Sequence, residues 1–302
     1  MQTLENCRRV AVLSDLHSNY YATRACVDDA LSLGVDGFVF LGDYVSDLSM
    51  PRETLDLVYK IRDRYPTICL RGNRERYMFE NEAGIHRFAP GTKSGSLYYT
   101  YISLTPEDFA FLKSLPFSAT AVIGGVPVEL AHSTMDNDRR YFDLDGGIDE
   151  VVSQMKTACF LTGHTHRQFA YWANDRLVLN PGSVGVPREH GDLTQYAILD
   201  VTGGAISSTL RRIEYDVEAA IRHQFEHLVP CAAVWAIMVV YDIITGEDYT
   251  LRLLECASEK KKRPGADDAT EEFWLEVADA LGMRLTEAEI LAERRAMKKN
   301  SL

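Results

Sequence analysis

The segment Val10-Ala11-Val12-Leu13-Ser14-Asp15-Leu16-His17 carries the strongest signal in this chain. Its four consecutive apolar residues are typical of a strand that is buried on both faces. Similar apolar runs lie at 38–41, which ends in Gly42-Asp43, and at 67–70, which is followed by Arg71-Gly72-Asn73. Ligands of parallel sheets bind beyond the carboxyl ends of the strands, so we expect these polar side chains to meet at one sheet edge.

Two stretches of helical length, 20–33 and 51–65, separate these runs. In the first of them Ala22, Cys26 and Ala30 recur at the spacing of one helix face. The resulting order β-α-β-α-β predicts parallel strands that are covered by helices.

After Pro116 the chain changes to short strand-like segments, with turn signals such as Gly124-Gly125 and Gly203-Gly204 between them. The segments lie at 118–123, 126–131, 159–162, 169–173, 177–179, 195–200 and 205–211. They predict a second sheet that contains antiparallel strands.

Beyond residue 214 the chain is predicted to be helical, at 217–228, 231–244, 270–281 and 287–298, with an exposed charged linker at 259–265. An apolar stripe in the second of these helices packs either on the core, which we favour, or on a second subunit of a homo-oligomer. The residues of this stripe are Ala233, Ile237, Val240, Tyr241 and Ile244.

The composition excludes several classes of protein. The 302 residues are 46% hydrophobic and carry a formal net charge of −12, which argues against a disordered chain and against broad binding to duplex nucleic acid or anionic lipid. The six cysteines form no C-x-x-C pair and indicate a reducing compartment. The longest apolar run, 231–241, is shorter than the roughly 20 residues of a membrane helix, and no signal peptide is evident. We therefore expect a cytoplasmic protein without a membrane partner.

Further metal-ligating side chains follow apolar runs in the second half of the chain. The full set is Asp15, His17, Asp43, Asn73, His132, His164 and His166. Each alone has a structural explanation, such as a turn at Asp15 or a hydrogen-bonded His132, but their joint placement favours a metal site. Nitrogen and oxygen donors without cysteine suit two divalent ions such as Mn, Fe, Zn or Co rather than a cysteine-rich zinc site.

These motifs in this order resemble the calcineurin-like metallophosphoesterases over about residues 8–213. Gly163-His164-Thr165-His166-Arg167 and Asn180-Pro181-Gly182-Ser183-Val184-Gly185 are similar to the bacterial and archaeal phosphodiesterase branch of that family. The resemblance implies an α/β fold in which two mixed β-sheets pack as a sandwich flanked by helices. It divides the chain into a catalytic domain, 1–213, and a mostly helical C-terminal extension of unknown role, 214–302.

The resemblance also implies a two-metal centre at the sheet ends. Asp15, His17 and His166 would hold one ion, Asn73, His132 and His164 the other, and Asp43 would bridge both. The implied activity is a metal-dependent phosphodiesterase that hydrolyses a small or nucleotide-like phosphodiester through a hydroxide activated by the two metals. The implied catalytic residues are Asp15, Asp43, Asn73, Arg74 and His132.

Two other functions stay open at this point. One is a phosphomonoesterase, either a protein phosphatase or a nucleotide polyphosphate hydrolase. The other is a non-catalytic phosphoesterase-like scaffold, such as the related subunit of the retromer coat.

One motif departs from the family pattern. The third motif is commonly G-N-H-[DE], whereas this chain has Gly72-Asn73-Arg74-Glu75. A guanidinium cannot act as a general acid near neutral pH, but it can bind phosphate through two hydrogen bonds. We expect Arg74 to clamp the substrate phosphate; the alternative is that it only pairs with Glu75 or Asp47.

Overall fold

Strands and helices alternate through the first half of the chain, and the computed structural model describes residues 3–268 and 270–300. The strands are β1 (Arg9–Leu13), β2 (Gly37–Phe40), β3 (Thr67–Cys69), β4 (Ser118–Ile123), β5 (Val126–Ala131), β6 (Cys159–Leu161), β7 (Gln168–Ala173), β8 (Arg176–Pro181), β9 (Leu193–Thr202) and β10 (Ala205–Glu214).

The first sheet has the strand order β10-β9-β1-β2-β3. Strands β1, β2 and β3 are parallel, as predicted from their apolar runs, whereas β9 is antiparallel to β1 and to β10. The prediction that 195–200 and 205–211 belong to the second sheet is wrong, because β9 pairs with β1 along residues 197–200 and brings β10 with it. Pairing of Val12 with Val39, and of Val39 with Ile68, puts the three carboxyl ends at one edge.

The second sheet has the order β4-β5-β6-β8-β7. Its central strands β5, β6 and β8 are parallel, and antiparallel strands close both edges. A buried apolar cluster joins Val12 and Val39 of the first sheet to Val128, Leu161 and Leu179 of the second. The predicted sandwich of two mixed sheets is therefore confirmed.

Helices cover the outer faces of this sandwich in the first part of the chain, and further helices pack together after β10. They are α1 (Tyr20–Ser32), α2 (Pro51–Arg64), α3 (Asn73–Glu82), α4 (Gly95–Ser103), α5 (Pro106–Ser114), α6 (Ile148–Gln154), α7 (Val217–His223), α8 (Val229–Ala232), α9 (Val234–Thr245), α10 (Tyr249–Lys260), α11 (Glu271–Ala280) and α12 (Glu287–Asn300). On the first sheet, Ala22 of α1 and Leu55 of α2 pack with Phe38 and Phe40. On the second, Val151 of α6 packs with Phe160.

The chain after β10 is helical, as predicted, and α9 lies at its centre. Every residue from 234 to 244 is buried, so the predicted apolar stripe packs inside the chain. Ala233 has a positive φ of 45°, which divides the predicted helix 231–244 into α8 and α9. None of the described helices has the length and apolar character that crossing a bilayer requires.

Helix α10 is a feature that the sequence reading missed. The sequence predicts an exposed charged linker at 259–265, but α10 continues to Lys260. The signal was present, because Tyr249, Leu253 and Ala257 recur at a spacing of four and are buried.

Candidate metal centre

The polar residues that end the strands meet at one edge of the sandwich. Ligand atoms of Asp15, His17 and His166 lie within 4.8 Å of one another, and so do those of Asp15, Asp43 and His132. Asn73, the first residue of α3, places its Oδ1 atom 3.1 Å from His132 Nε2. The geometry thus joins residues from both sheets.

His164 lies at the margin of this cluster. Its ring centroid is 5.3 Å from that of His132. Burial and the neighbouring His132 lower the pKa of its imidazole to about 4, which keeps this side chain neutral and able to donate a lone pair.

The backbone is strained at five of these seven positions. Asp15, His17, Asp43, His164 and His166 have positive φ angles between 47° and 70°, a region that side chains with a Cβ rarely adopt. Strain of this kind costs about 1–3 kcal/mol per residue and concentrates at functional sites. The packed sheets therefore hold these loops in a shape that local preference would not produce.

Glycines allow the loops to approach one another closely. A Cβ atom at Gly72 would overlap the Asp43 carboxylate, and one at Gly163 would overlap the Ser14 hydroxyl. These glycines precede Asn73 and His164 in the motifs, so they bring the ligand-bearing loops into contact.

Hydrogen bonds orient three of the imidazoles. The Nδ1 atoms of His17, His132 and His166 lie 2.8 Å from Asp47 Oδ2, 3.0 Å from the Leu41 carbonyl and 2.8 Å from the Val186 carbonyl, respectively. Because all three partners are oxygen acceptors, Nδ1 carries the proton in each neutral ring. The lone pair of Nε2 then faces the centre, as in metal-binding histidines.

Hydrogen-bond acceptors therefore face one another in the centre. His17 Nε2 and His166 Nε2 are 3.0 Å apart, and the buried Asp15 Oδ1 atom finds no hydrogen-bond partner among residues 3–268 and 270–300. Unpaired buried acceptors are costly unless a cation or a proton lies between them. The residues present fit divalent cations.

The buried carboxylates of Asp15 and Asp43 also require positive charge nearby. Burial alone would raise the pKa of Asp15, but the imidazoles of His166, His132 and His17 lower it well below the usual range. Burial opposes protonation of His132, yet Asp43 and Asp15 raise its pKa to about 10. The site attracts cations at neutral pH.

Glu75 is a site residue that the sequence reading considered only as an ion-pair partner of Arg74. It is fully buried, and it accepts hydrogen bonds from the backbone N–H groups of Gly72 at 2.7 Å, Asp43 at 3.0 Å and Tyr44 at 2.8 Å. Burial, followed by the charge of Asp43, raises its pKa to about 7. The sequence offers one signal for this role, because Glu75 lies in the first turn of α3, where a Glu side chain can accept a hydrogen bond from a preceding backbone N–H group.

Arg74 forms one of the two ion pairs that the sequence suggested. Its Nη2 atom lies 3.0 Å from Asp47 Oδ2, and its backbone N–H donates to Asp43 Oδ1 at 2.8 Å. Asp47 also contacts His17, so this carboxylate fixes both a candidate ligand and the guanidinium. The Arg74 side chain is 28% exposed and faces the cleft described below.

Residues beneath the centre support the two histidine-bearing loops. Asn180 Nδ2 donates to the Gly163 carbonyl at 2.8 Å, and the Ser183 hydroxyl donates to the Asp15 carbonyl at 2.8 Å. Arg167 pairs at the rim with Asp143.

The centre opens into a cleft of about 580 Å³. Its lining includes Arg74, His164 and His166, together with Leu251 and Leu254 of α10. The volume lies within the range of roughly 300–1,000 Å³ that small-molecule sites occupy.

Comparison with known proteins agrees with this geometry. Residues 9–204 match the model of the calcineurin-like phosphoesterase superfamily domain. An uncharacterized protein of Methanocaldococcus jannaschii is 26% identical over 238 residues, which cover 73% of this chain and 93% of that protein.

Two solved structures share the fold. A metallophosphoesterase from Sphaerobacter thermophilus has a TM-score of 0.62 at 23% identity, over 79% of this chain and 100% of that one. A hypothetical protein from Pyrococcus horikoshii has a TM-score of 0.67 at 19% identity, over 79% of this chain and 98% of that one.

Proposed function

The chain belongs to the calcineurin-like phosphoesterase superfamily, whose members are in general metal-dependent hydrolases of phosphate esters, and on that premise we propose that it hydrolyses a phosphodiester at a centre of two divalent metal ions. The observation that carries the proposal is the pair of three-residue ligand groups that share Asp15. In addition, Asp43 Oδ2 lies 3.4 Å from His132 Nε2 and 3.9 Å from His17 Nε2, so this carboxylate reaches both groups.

In this proposal Asp15, His17 and His166 would hold one ion, Asn73, His132 and His164 would hold the other, and Asp43 would contribute its carboxylate to both. Bound divalent ions would lower the pKa of water and offset the charge of the phosphate. The chain itself fixes the ligands, through Asp47, Glu75 and the carbonyl groups that orient the imidazoles.

Arg74 favours a phosphate ester with a good leaving group. It lines the cleft beside the ligands, and Asp47 holds its guanidinium in place. A guanidinium can bind a phosphate oxygen but does not donate its proton at neutral pH. The leaving group must therefore depart with little help from this position.

We test the function with metal-free protein to which Mn, Fe, Zn or Co is added back, with Mn expected to be effective. Turnover of a bis-aryl phosphate and of the aryl monophosphate is measured side by side. We expect metal-dependent hydrolysis, with kcat/KM for the diester higher by about tenfold or more, a difference of about 1.4 kcal/mol in activation free energy. Elemental analysis should find two ions per chain.

The other outcomes separate the alternatives. Faster hydrolysis of the monoester would indicate a phosphomonoesterase. Metal binding by calorimetry without turnover of any ester would indicate a scaffold.

Replacing Arg74 with Ala should lower kcat/KM for an activated aryl diester by about 10–100-fold, the loss of charge-assisted hydrogen bonds to phosphate. Arg74→His should recover part of the rate for esters with poorer leaving groups, because imidazole can supply a proton. Arg139→Ala is the matched control, since Arg139 stacks on Tyr77 as Arg74 does but is exposed outside the cleft lining. An unchanged rate in Arg74→Ala would refute the clamp.

A further inference from the structure

Helix α10 contributes to the lining of the cleft that leads to the candidate metal centre. Leu251 and Leu254 of α10 line this cleft together with Arg74, His164 and His166. We call Leu251 and Leu254 the extension wall. The wall lies beyond residues 9–204, the region that the superfamily model matches.

Helix α10 is apolar on two faces, and only one of these faces packs in the core. Tyr249, Leu253 and Ala257 are buried against the other C-terminal helices. Leu251 is 54% exposed and Leu254 is 45% exposed, one helical turn apart. Packing among residues 3–268 and 270–300 leaves about half of each of these two side chains exposed.

A third exposed apolar side chain lies on the same cleft. Tyr141 is 60% exposed and lines the cleft with the extension wall. Single exposed apolar residues are ordinary, but apolar side chains gathered around a polar reaction centre mark a ligand-binding surface.

The wall is fixed to the loop that orients a candidate ligand. Arg188 Nη2 lies 3.1 Å from Asp248 Oδ2, and the Glu189 N–H donates to the Gly246 carbonyl at 2.8 Å, both just before α10. The Arg188 N–H donates to the His166 carbonyl at 3.2 Å. The wall and the metal centre are therefore coupled through one short loop.

Apart from Arg74, which we assign to the reacting phosphate, the arginines of the cleft are matched by carboxylates. The ion pairs are Arg167 with Asp143 and Asp145, and Arg188 with Asp242 and Asp248. A second phosphate group, away from the metals, would meet guanidinium groups whose charge is already balanced. A polyphosphate therefore fits this cleft poorly.

We propose that the extension wall and Tyr141 bind an apolar or aromatic group attached to the reacting phosphate, so that the substrate class is a singly charged phosphodiester with one bulky apolar ester group. This inference rests on the proposed function for the reaction, but it makes a separate statement about binding. Helix α10 is then the specificity element of the site.

The test uses the full chain loaded with metal and two binding probes, methyl 1-naphthylphosphonate and methyl methylphosphonate. Both carry one negative charge, and the apolar group is joined by a P–C bond that ester hydrolysis does not break. Calorimetry on the wild type should show the naphthyl probe to bind at least about tenfold more tightly. The double variant Leu251→Ser with Leu254→Ser should lower the affinity for the naphthyl probe by about 10–100-fold. It should change the affinity for the methyl probe by less than about twofold.

Two controls accompany this variant. Leu275→Ser alters an apolar side chain of α11 that is 38% exposed and lies outside the cleft lining, and it should change neither affinity. Leu251→Met with Leu254→Met keeps apolar volume and should retain the selectivity.

The inference is overturned if the wild type does not prefer the naphthyl probe, if the serine variant leaves that preference intact, or if a nucleoside triphosphate binds more tightly than the naphthyl probe. Equal weakening of both probes also contradicts it, because this would indicate general distortion of the site. Selective naphthyl binding without hydrolysis of any diester would support the binding inference and refute the proposed function.

Discussion

Replacing Asp43 with Asn is expected to lower kcat for an activated aryl phosphodiester by about 10³-fold or more. Asp43 is the carboxylate between the two candidate ligand groups, with Oδ2 3.4 Å from His132 Nε2 and 3.9 Å from His17 Nε2. An amide keeps the size of the side chain but removes the negative charge that two cations would share. The variant should bind metal more weakly and align the phosphate less well.

Thermal unfolding with and without added metal distinguishes a lost ligand from a damaged fold. Ligand linkage should stabilise the wild type by about 2.7 kcal/mol at a metal concentration 100 times Kd. Asp43→Asn should lose most of that gain. Without metal it should still unfold cooperatively but at a lower temperature than the wild type, because His132 loses the buried carboxylate that stabilises its charge.

The matched control is Asp175→Asn, which makes the same change at an exposed turn with positive φ, where Asn is well tolerated. It should alter neither kcat nor the metal-induced stabilisation. A kcat of Asp43→Asn within tenfold of the wild type would contradict the assignment of Asp43 to the centre.

The sequence could predict the strands that position this site because two independent signals coincide there. Unbroken apolar runs indicate strands buried on both faces, and the polar residues that follow them mark the carboxyl ends. The runs at 38–41 and 67–70 correspond to β2 and β3. Asp43 and Asn73 lie at the predicted sheet edge.

The rest depends on contacts between distant parts of the chain. The pair of Asp47 with Arg74 could be named from the sequence, but nothing in the segment 42–47 shows that Asp47 would also contact His17. Likewise, the extension wall faces the cleft only because Arg188 and Glu189 fix the start of α10 beside His166. Local propensity also opposes the positive φ of Asp43, which the packed sheets impose.

Substitution of Glu75 is expected to have the second large effect on the protein, because this one buried carboxylate holds two of the site loops. Its Oε2 atom accepts hydrogen bonds from Asp43 N–H and Gly72 N–H, and its Oε1 atom accepts one from Tyr44 N–H. In Glu75→Gln one oxygen becomes an NH₂ group, which must then face a backbone donor. We expect a loss of about 1–3 kcal/mol in the free energy of unfolding, measured by denaturant titration.

The same substitution should lower kcat for the aryl diester by about 10–100-fold, because a shift of the loops at Asp43 and Gly72 displaces candidate ligands. Glu82→Gln, at the exposed end of α3 where Glu82 pairs with Lys113, is the control and should change stability by no more than about 1 kcal/mol. Metal affinity is the decisive measurement. A Glu75→Gln protein that is less stable but binds metal and turns over as the wild type does would show that Glu75 supports the fold without positioning the centre.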